Sequence, residues 1–495
     1  MQKFTKLFLL VFLLQACGSD CETNLENEIK DLLKSDNELT SQDFASLKDV
    51  ILSNKDCYGE LINEDSVNEE ELLKLIKKAY RKLSKKGNLK INFTGVESGN
   101  NISSGSISPK LYLERSGSMV SYDSPQGNGD FRSVLTSLLT NLNSVSKSRN
   151  PIFIVNDNVY DSKLDFKSLV EAKDIFSVTN LGNSKSTDFD LIFRKILDDL
   201  KPGEVSILFS DLIFSTPSMI GVSNKKILDA AKKLTLNVFQ GFSNDISVLV
   251  LKFNGDYNGK YFPHNQAPQK YEGQRPYYVV FFAKNETMNK FMSLEKYETV
   301  RDWNNYTNFE NFYFFSNDKK MVKPFYTIRL KDAERAGSYS QESEEKKSKE
   351  KAIHSLEDID HDKDGTLAIS VLVDLSNLHI PEKLKIDKNN YVVESNQNFI
   401  IDSVTEFKGS KEGTHKITLT TNTKRGGERE VNIRFKKIFP PKWIVQSQST
   451  DDKNITNDEF SNTTFGILSM MEGINDAYDI EKSEYLFSLK INLKN

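Results

Sequence analysis

The chain has 495 residues, with 66 basic and 70 acidic side chains and a net charge of −4. This length suggests two to four domains, and the near balance of charge excludes the basic surface expected of a nucleic-acid-binding protein. Mean hydropathy is −0.50, and no long apolar run follows the first residues, so the rest of the chain is expected to form globular domains.

Residues 1–16 have the pattern of an export signal. Lys3 and Lys6 precede an apolar stretch that is shorter than the ~20 residues a membrane-spanning helix needs. The motif LQAC, which ends at Cys17, resembles the lipobox of bacterial lipoproteins. The resemblance implies cleavage before Cys17 and a lipid anchor on its sulfur, and an ordinary secretory signal is the alternative. Position 18 is glycine and not the acidic residue that retains some lipoproteins at the inner membrane. This favours the outer membrane where the envelope has two membranes.

Residues 17–87 are expected to form a helical stalk or a small bundle. Their apolar side chains recur in three stripes with helical spacing. In the predicted helix that carries the third stripe, acidic residues come before basic ones, an order that complements a helix dipole. Cys21 and Cys57 lie in this segment. Export would permit a disulfide between them, and two free thiols are the equally simple alternative.

Residues 88–272 are predicted to form a doubly wound α/β domain with a mostly parallel sheet. Short continuous apolar runs are typical of strands that are buried on both faces. The runs lie at 111–113, 151–155, 205–209 and 246–253. Between them, residues 131–142 and 189–200 repeat apolar side chains at helical spacing. Alternating strands and helices imply right-handed crossovers.

The rest of the chain is predicted to be richer in strands. Residues 273–330 are expected to add strands that extend the α/β domain, and the charged stretch 331–352 is expected to be a linker. In residues 353–495 the apolar pattern has a period of two, which indicates an antiparallel sheet with one solvated face, as in a sandwich. One helix, at 463–478, is expected to pack on that core.

Oxygen-bearing side chains follow several of the predicted elements of the α/β domain. Glu114, Ser116 and Ser118 follow its first strand, Thr187 opens a helix, and Asp211 follows its third strand. Ligands of open α/β sheets bind at the carboxyl ends of the strands, so we expect these five side chains to meet. Hard oxygen donors favour Mg²⁺, with Ca²⁺ and Mn²⁺ as alternatives, over zinc.

The segment LERSGSM, residues 113–119, resembles the D-x-S-x-S signature of the metal-ion-dependent adhesion site in von Willebrand factor A domains. Thr187 and Asp211 are similar to that family's metal-binding threonine and to its acid after the fourth strand. The resemblance implies a cation-dependent site for a protein or peptide partner that supplies a carboxylate. Two positions depart from the pattern, since Glu114 replaces an aspartate and Leu212 stands where glycine commonly follows the acid.

The candidate residues also have structural explanations. The two serines suit a turn, Thr187 or Asp188 could be an N-cap, and Asp211 could cap the segment after its strand. No catalytic constellation is recognisable in the sequence, so we expect no enzymatic activity. The expected function is that of a lipid-anchored cell-envelope protein that binds its partner through a cation. A structural subunit with a vestigial site and a metal-dependent hydrolase are the alternatives.

Overall fold

The computed structural model describes residues 107–494 except 147–149, 215–218, 265, 349–351, 409–411, 425, 428, 452 and 480–481, together with scattered positions between 25 and 92. The chain divides into two compact units, residues 1–104 and 105–495. Among the described residues, no helix combines the length and the apolar character needed to cross a membrane. The expected signal segment 1–16 and the expected lipidation and disulfide positions Cys17 and Cys21 lie outside the described residues.

The first unit has a small apolar core of its own. Its buried side chains are Leu25, Ile29, Leu47, Ile51, Tyr58, Val67, Leu72 and Ile76, and most of them belong to the three predicted stripes. Its strands are β1 (Glu38–Thr40), β2 (Ile62–Asn63), β3 (Ser66–Val67) and β4 (Lys90–Asn92). Strand β1 pairs with β4 and β2 pairs with β3. Cys57 is disulfide-bonded.

Seven strands of the second unit form one mixed sheet. They are β5 (Ser108–Glu114), β6 (Ile152–Val155), β7 (Val159–Asp161), β8 (Glu204–Ser210), β9 (Ile246–Tyr261), β10 (Gln269–Lys284) and β11 (Phe309–Phe315). They lie side by side in the order β11-β9-β10-β8-β5-β6-β7. Strand β5 is parallel to β6 and β8, and the other neighbours are antiparallel. The α/β class is confirmed, but the sheet is mixed rather than mostly parallel.

The long hairpin of β9 and β10 accounts for this difference. Strand β9 points in the same direction as β8, but β10 returns antiparallel and inserts between them. Residues 246–253 and 276–283 are buried throughout. A central strand is apolar along its length whichever way its neighbours run, so the sequence pattern does not reveal their direction.

Helices cover both faces of this sheet. In chain order the helices of the second unit are α1 (Asp130–Val145), α2 (Phe166–Glu171), α3 (Ile175–Val178), α4 (Phe189–Asp198), α5 (Asn224–Phe239), α6 (Asn285–Ser293), α7 (Glu298–Arg301), α8 (Lys319–Val322), α9 (Ser343–Lys347), α10 (Glu382–Lys385), α11 (Lys442–Gln446) and α12 (Ile467–Tyr478). Helices α1 and α6 pack on one face and α4 and α5 on the other. The predictions of helices at 131–142 and 189–200 are confirmed, although the second one ends at Asp198.

Two further sheets confirm that the C-terminal region is rich in strands. One consists of β12 (Tyr326–Arg329), β15 (Leu367–Val373), β18 (His415–Thr421) and β17 (Ile400–Glu406), in that order. The other consists of β13 (Ser338–Gln341), β14 (Ser355–Asp360), β22 (Tyr485–Leu493), β19 (Arg429–Lys436) and β16 (Tyr391–Ser395). Two short strands, β20 (Gln448–Ser449) and β21 (Thr464–Phe465), pair separately. Buried side chains of both large sheets share one core with the α1 face of the α/β sheet.

Two expectations for the C-terminal half are wrong. The charged stretch 331–352 is not a linker, because it contains β13 and α9. Arg335 organises this stretch by donating to the carbonyl oxygens of Leu330 and Tyr339, at 2.6 and 2.7 Å. The helix expected to pack on the C-terminal sheets, α12, instead packs against α5 and the second face of the seven-stranded sheet.

Gly473 lies where α12 crosses α5. A β-carbon there would come within 2.0 Å of Thr235 Oγ1 and 2.1 Å of the Lys232 carbonyl oxygen. The backbone of α5 cannot shift away from this β-carbon without losing other packing contacts. We therefore expect Gly473→Ala to lower the free energy of unfolding by about 2 kcal/mol. Gly241→Ala is the matched control, since a β-carbon there meets nothing within 4 Å. Urea denaturation checks the difference, and equal stability of the two variants would contradict the close helix packing.

Candidate metal site

Two predicted site residues lie at the carboxyl ends of neighbouring strands. Glu114 is the last residue of β5, and Asp211 directly follows β8. The two strands are parallel, and Leu113 lies opposite Phe209. Both acidic side chains are 1 % exposed. The sheet therefore buries two carboxylates at the same edge.

The Glu114 carboxylate is held by two hydroxyl groups. Thr187 Oγ1 donates a hydrogen bond to Glu114 Oε1 at 2.6 Å. The Ser210 hydroxyl donates to Oε2, and Ser210 Oγ in turn accepts from the Leu212 amide at 2.9 Å. Both oxygens of Glu114 thus have protein partners, one of them from the neighbouring strand.

The two serines of the signature lie in the loop after β5. Their Oγ atoms are 3.0 Å apart, and Ser116 Oγ also accepts from the Met119 amide at 3.3 Å. Ser116 is buried, whereas Ser118 is half-buried and therefore lies on the more open side of the site. The turn explanation accounts for the hydrogen bond of Ser116 to Met119, whereas the hydroxyl of Ser118 interacts with Ser116 and with the Asp211 carboxylate.

Gly117 allows this loop to lie close to two neighbours. Its amide donates to the Ser184 carbonyl oxygen at 2.9 Å. A β-carbon at position 117 would come within 2.8 Å of the Phe262 ring. Phe262 follows β9 and is 39 % exposed. Its ring therefore shields one side of the loop while remaining accessible to a partner.

Asn156, at the end of β6, positions the loop that carries Thr187. Its side-chain amide donates to the Leu181 carbonyl oxygen at 2.8 Å, and its backbone carbonyl oxygen accepts from the Asp188 backbone amide at 2.9 Å. Asp188 is the N-cap of α4, because its carboxylate accepts from the Leu191 amide at 3.1 Å. The N-cap explanation therefore applies to Asp188, and the Thr187 hydroxyl is directed to Glu114 instead.

Asp211 is only partly explained by local structure. Its Oδ1 accepts from the Ile213 amide at 3.1 Å, which is the capping role considered from the sequence. Its Oδ2 is buried and has no partner within hydrogen-bond distance among the described residues, although the Ser118 hydroxyl lies close enough to favour the charged form of Asp211. A buried polar atom without a partner costs about 1–3 kcal/mol. A water molecule or a cation would satisfy this atom.

The two carboxylates affect each other's ionisation. Burial and then the negative charge of Asp211 raise the pKa of Glu114 to about 8, although the Ser210 and Thr187 hydroxyls oppose the shift. Burial also raises the pKa of Asp211, against the opposing effects of Ser118 and Arg275. Two acids in such surroundings favour a shared proton or a bound cation over two free charges.

Sequence reasoning missed Ser210, Asn156 and Arg275. Arg275, on β10, is 1 % exposed, donates to the Phe460 carbonyl oxygen, and has its guanidinium carbon 3.9 Å from the centre of the Phe460 ring. Its positive charge opposes the rise that burial causes in the pKa of Asp211. The available signals were slight: Ser210 directly precedes Asp211, and Arg275 directly precedes the apolar run 276–283 of β10.

The second departure from the family pattern, Leu212, has a visible backbone cost. Its φ is 51°, in the left-handed region that glycine adopts freely and that costs other residues about 1–2 kcal/mol. The side chain is 2 % exposed and packs in the core on the α4 and α5 face. The backbone conformation at this position therefore favours glycine, and burial of the leucine side chain offsets the backbone strain.

The donor set fits a hard cation. It contains two carboxylates and three hydroxyl groups, and Mg²⁺ accepts such sites because it keeps several of its own waters. Within the described part of the chain, no group of three or more histidine, cysteine, aspartate or glutamate side chains could hold a metal. A cation at this site must therefore rely on hydroxyl and water oxygens.

Comparison of the chain with protein-family models, curated proteins and solved structures found no match. The class of the protein consequently rests on its own fold and site. It is an α/β protein with a mixed seven-stranded sheet, followed by a region of antiparallel and mixed sheets, and it has two buried carboxylates at one sheet edge.

The raised pKa of Glu114 makes stability depend on pH. Without divalent cations, the Glu114 carboxyl group stays protonated in the folded state up to about pH 8, whereas its reference pKa is 4.5. The contribution of the Glu114 carboxyl group to the free energy of unfolding should therefore fall as the pH rises from 4.5 to about 8, by roughly 1 kcal/mol per pH unit. Glu114→Gln cannot ionise, so its stability relative to the natural chain should increase from pH 5 to pH 8.

Urea denaturation in the presence of a chelator measures this difference. Glu295→Gln, at an exposed position, is the matched control and should differ from the natural chain by a nearly constant amount across the same range. A constant difference for Glu114→Gln as well would contradict the proton held at Glu114.

Proposed function

We propose that this protein is a lipid-anchored cell-envelope protein whose α/β body binds a protein or peptide partner through a divalent cation, with Mg²⁺ as the first choice. The observation that carries the proposal is the unpartnered, buried Oδ2 of Asp211. It lies at the edge where the strand ends bring together the other hydroxyl and carboxylate donors, which are Glu114, Ser116, Ser118 and Thr187.

In this proposal the hydroxyls of Ser116, Ser118 and Thr187 hold the cation, and Glu114 and Asp211 hold its waters. The bound cation supplies a positive charge for a carboxylate of the partner. Ser118, on the open side, leaves a path for that carboxylate, and Phe262 offers an apolar contact beside it. Glu114 must give up its proton for the site to carry the negative charge that favours a cation.

We further propose that the α/β body, which covers the predicted range 88–272 from residue 105 onward, is a divergent von Willebrand factor A domain. Three separated sequence elements support this assignment, because the signature follows β5, Thr187 precedes α4 and Asp211 follows β8. The insertion of β10 beside β8 departs from a fully wound parallel sheet, so the proposal rests on the site and on strands β5, β6 and β8.

Export and lipidation are supported by the N-terminal sequence, through the lipobox-like motif before Cys17. The disulfide at Cys57 agrees with an oxidising compartment outside the cytoplasm. Cys21 is its expected partner. The outer membrane is the proposed location where the envelope has two membranes.

One observation favours a second candidate, a structural subunit of an envelope assembly with a vestigial site. Both oxygens of Glu114 already accept hydrogen bonds from protein hydroxyls. With its proton retained, Glu114 is compatible with a folded site that never holds a cation. Metal titration separates this candidate from the leading proposal.

Isothermal titration with Mg²⁺ and Mn²⁺ tests the cation. We expect saturable binding to the natural chain and at least tenfold weaker binding to the double variant Ser116→Ala, Ser118→Ala, because two direct donors are lost. The double variant Ser133→Ala, Ser177→Ala removes two exposed hydroxyls and should bind as the natural chain does. The vestigial-site candidate instead predicts no saturable binding to any of them.

Capture from the envelope fraction of the source cells tests the partner. A partner should be retained by the natural chain in Mg²⁺, released by chelator, and lost with Ser116→Ala, Ser118→Ala, because the cation bridges the two proteins. The double variant Ser133→Ala, Ser177→Ala should retain the partner. Capture that is insensitive both to chelator and to the loss of the two signature hydroxyls would contradict cation-mediated binding.

A further inference from the structure

A cavity of about 820 Å³ lies along β11, the last strand at one edge of the seven-stranded sheet. All seven residues from Phe309 to Phe315 line it. Successive side chains of a strand point to opposite faces, so a cavity against one face would meet only alternate residues. The cavity therefore opens onto the free edge of β11, and we call it the β11 groove.

The outer edge of β11 has unused hydrogen-bonding groups. The strand pairs with β9 on one side only. In an antiparallel pair, alternate residues direct their N–H and C=O groups away from the neighbouring strand. Among the described residues, no hydrogen bond from outside the sheet reaches the backbone of residues 311–315. Such a row of donors and acceptors is a template for one more strand.

The side chains of the groove suit apolar groups on both faces of an added strand. Phe312, Phe314 and Leu378 belong to the core on one face of the sheet, and Phe439 and Trp443 belong to the core on the other. In strand addition the backbone edge provides affinity, and pockets for alternate side chains provide specificity. A groove with apolar walls on both faces matches this mode of binding.

The charges along the groove favour an acidic ligand. Lys383, Lys436 and Lys442 line it and are exposed, and no ion pair joins any of them to a carboxylate of the described chain. The two acids that line the groove, Glu310 and Asp479, are already paired with other lysines. The unpaired charge is thus positive, and the complementary ligand is negative.

We propose that the β11 groove binds an extended peptide segment of a partner protein, in which a short apolar run is flanked by acidic residues, as an added strand along β11. The backbone of the segment pairs with residues 311–315, its apolar side chains enter the two walls, and its acids meet the three lysines. This surface is separate from the candidate metal site, so either proposal can fail without the other.

The test uses fluorescence anisotropy with the full chain and the labelled peptide DDVIVIDD. We expect saturable binding, and at least tenfold weaker binding both of KKVIVIKK and of DDVIVIDD N-methylated at its two valines, which removes backbone donors while keeping the side chains. The variant Lys383→Glu, Lys442→Glu should also bind at least tenfold more weakly. The variant Lys201→Glu, Lys363→Glu, at exposed lysines outside the groove, should bind as the natural chain does.

Hydrogen exchange locates the bound peptide independently of the variants. Protection of the amides of residues 311–315 on addition of DDVIVIDD is expected. Absence of saturable binding, equal binding of the N-methylated peptide, or protection elsewhere without protection at β11 would overturn the proposal. Binding of dodecanoate at the groove without binding of the peptide would also overturn it, because the cavity would then be a lipid site.

Discussion

Two carboxylates buried side by side at the ends of parallel strands are the constraint around which the α/β body is arranged. Glu114 and Asp211 cannot both be ionised there at low cost without compensation. The compensation comes from several chain segments at once: hydroxyls of Thr187 and Ser210 bind Glu114, an amide binds Asp211 Oδ1, and Arg275 supplies a positive charge. Among the described residues, Asp211 Oδ2 has no partner within hydrogen-bond distance, and at this atom the site differs from a fully satisfied structural network.

The mixed character of the sheet bears directly on this site. Because β10 is antiparallel to β8, with Tyr278 opposite Ser210, its first residues extend past the carboxyl end of β8. A parallel neighbour would instead end near the same level. The reversed strand thereby brings Arg275 towards Asp211, and the extension of β9 beyond the same edge carries Phe262 onto Gly117.

The C-terminal region completes the α/β body rather than following it as an appendage. Helix α12 covers the second face of the sheet next to α5, and the Phe460 carbonyl and ring bind the guanidinium of Arg275. The groove at β11 lies between the same parts of the chain. Site electrostatics and groove shape therefore both depend on packing between segments that are far apart in sequence.

Strands β5, β6, β8, β9 and β10, helices α1 and α4 and the five oxygen-bearing side chains can all be predicted from the sequence, because continuous or periodic burial leaves a local pattern and strand ends follow from it. The direction of β10, the structure within 331–352 and the position of α12 depend on how the segments pack together in the fold. The roles of Ser210 and Arg275 depend on the same packing. Apart from the stretch 331–352, whose strand β13 pairs with the nearby β14, these features depend on partners more than 60 residues away, and no local pattern encodes which distant segment will satisfy a buried charge.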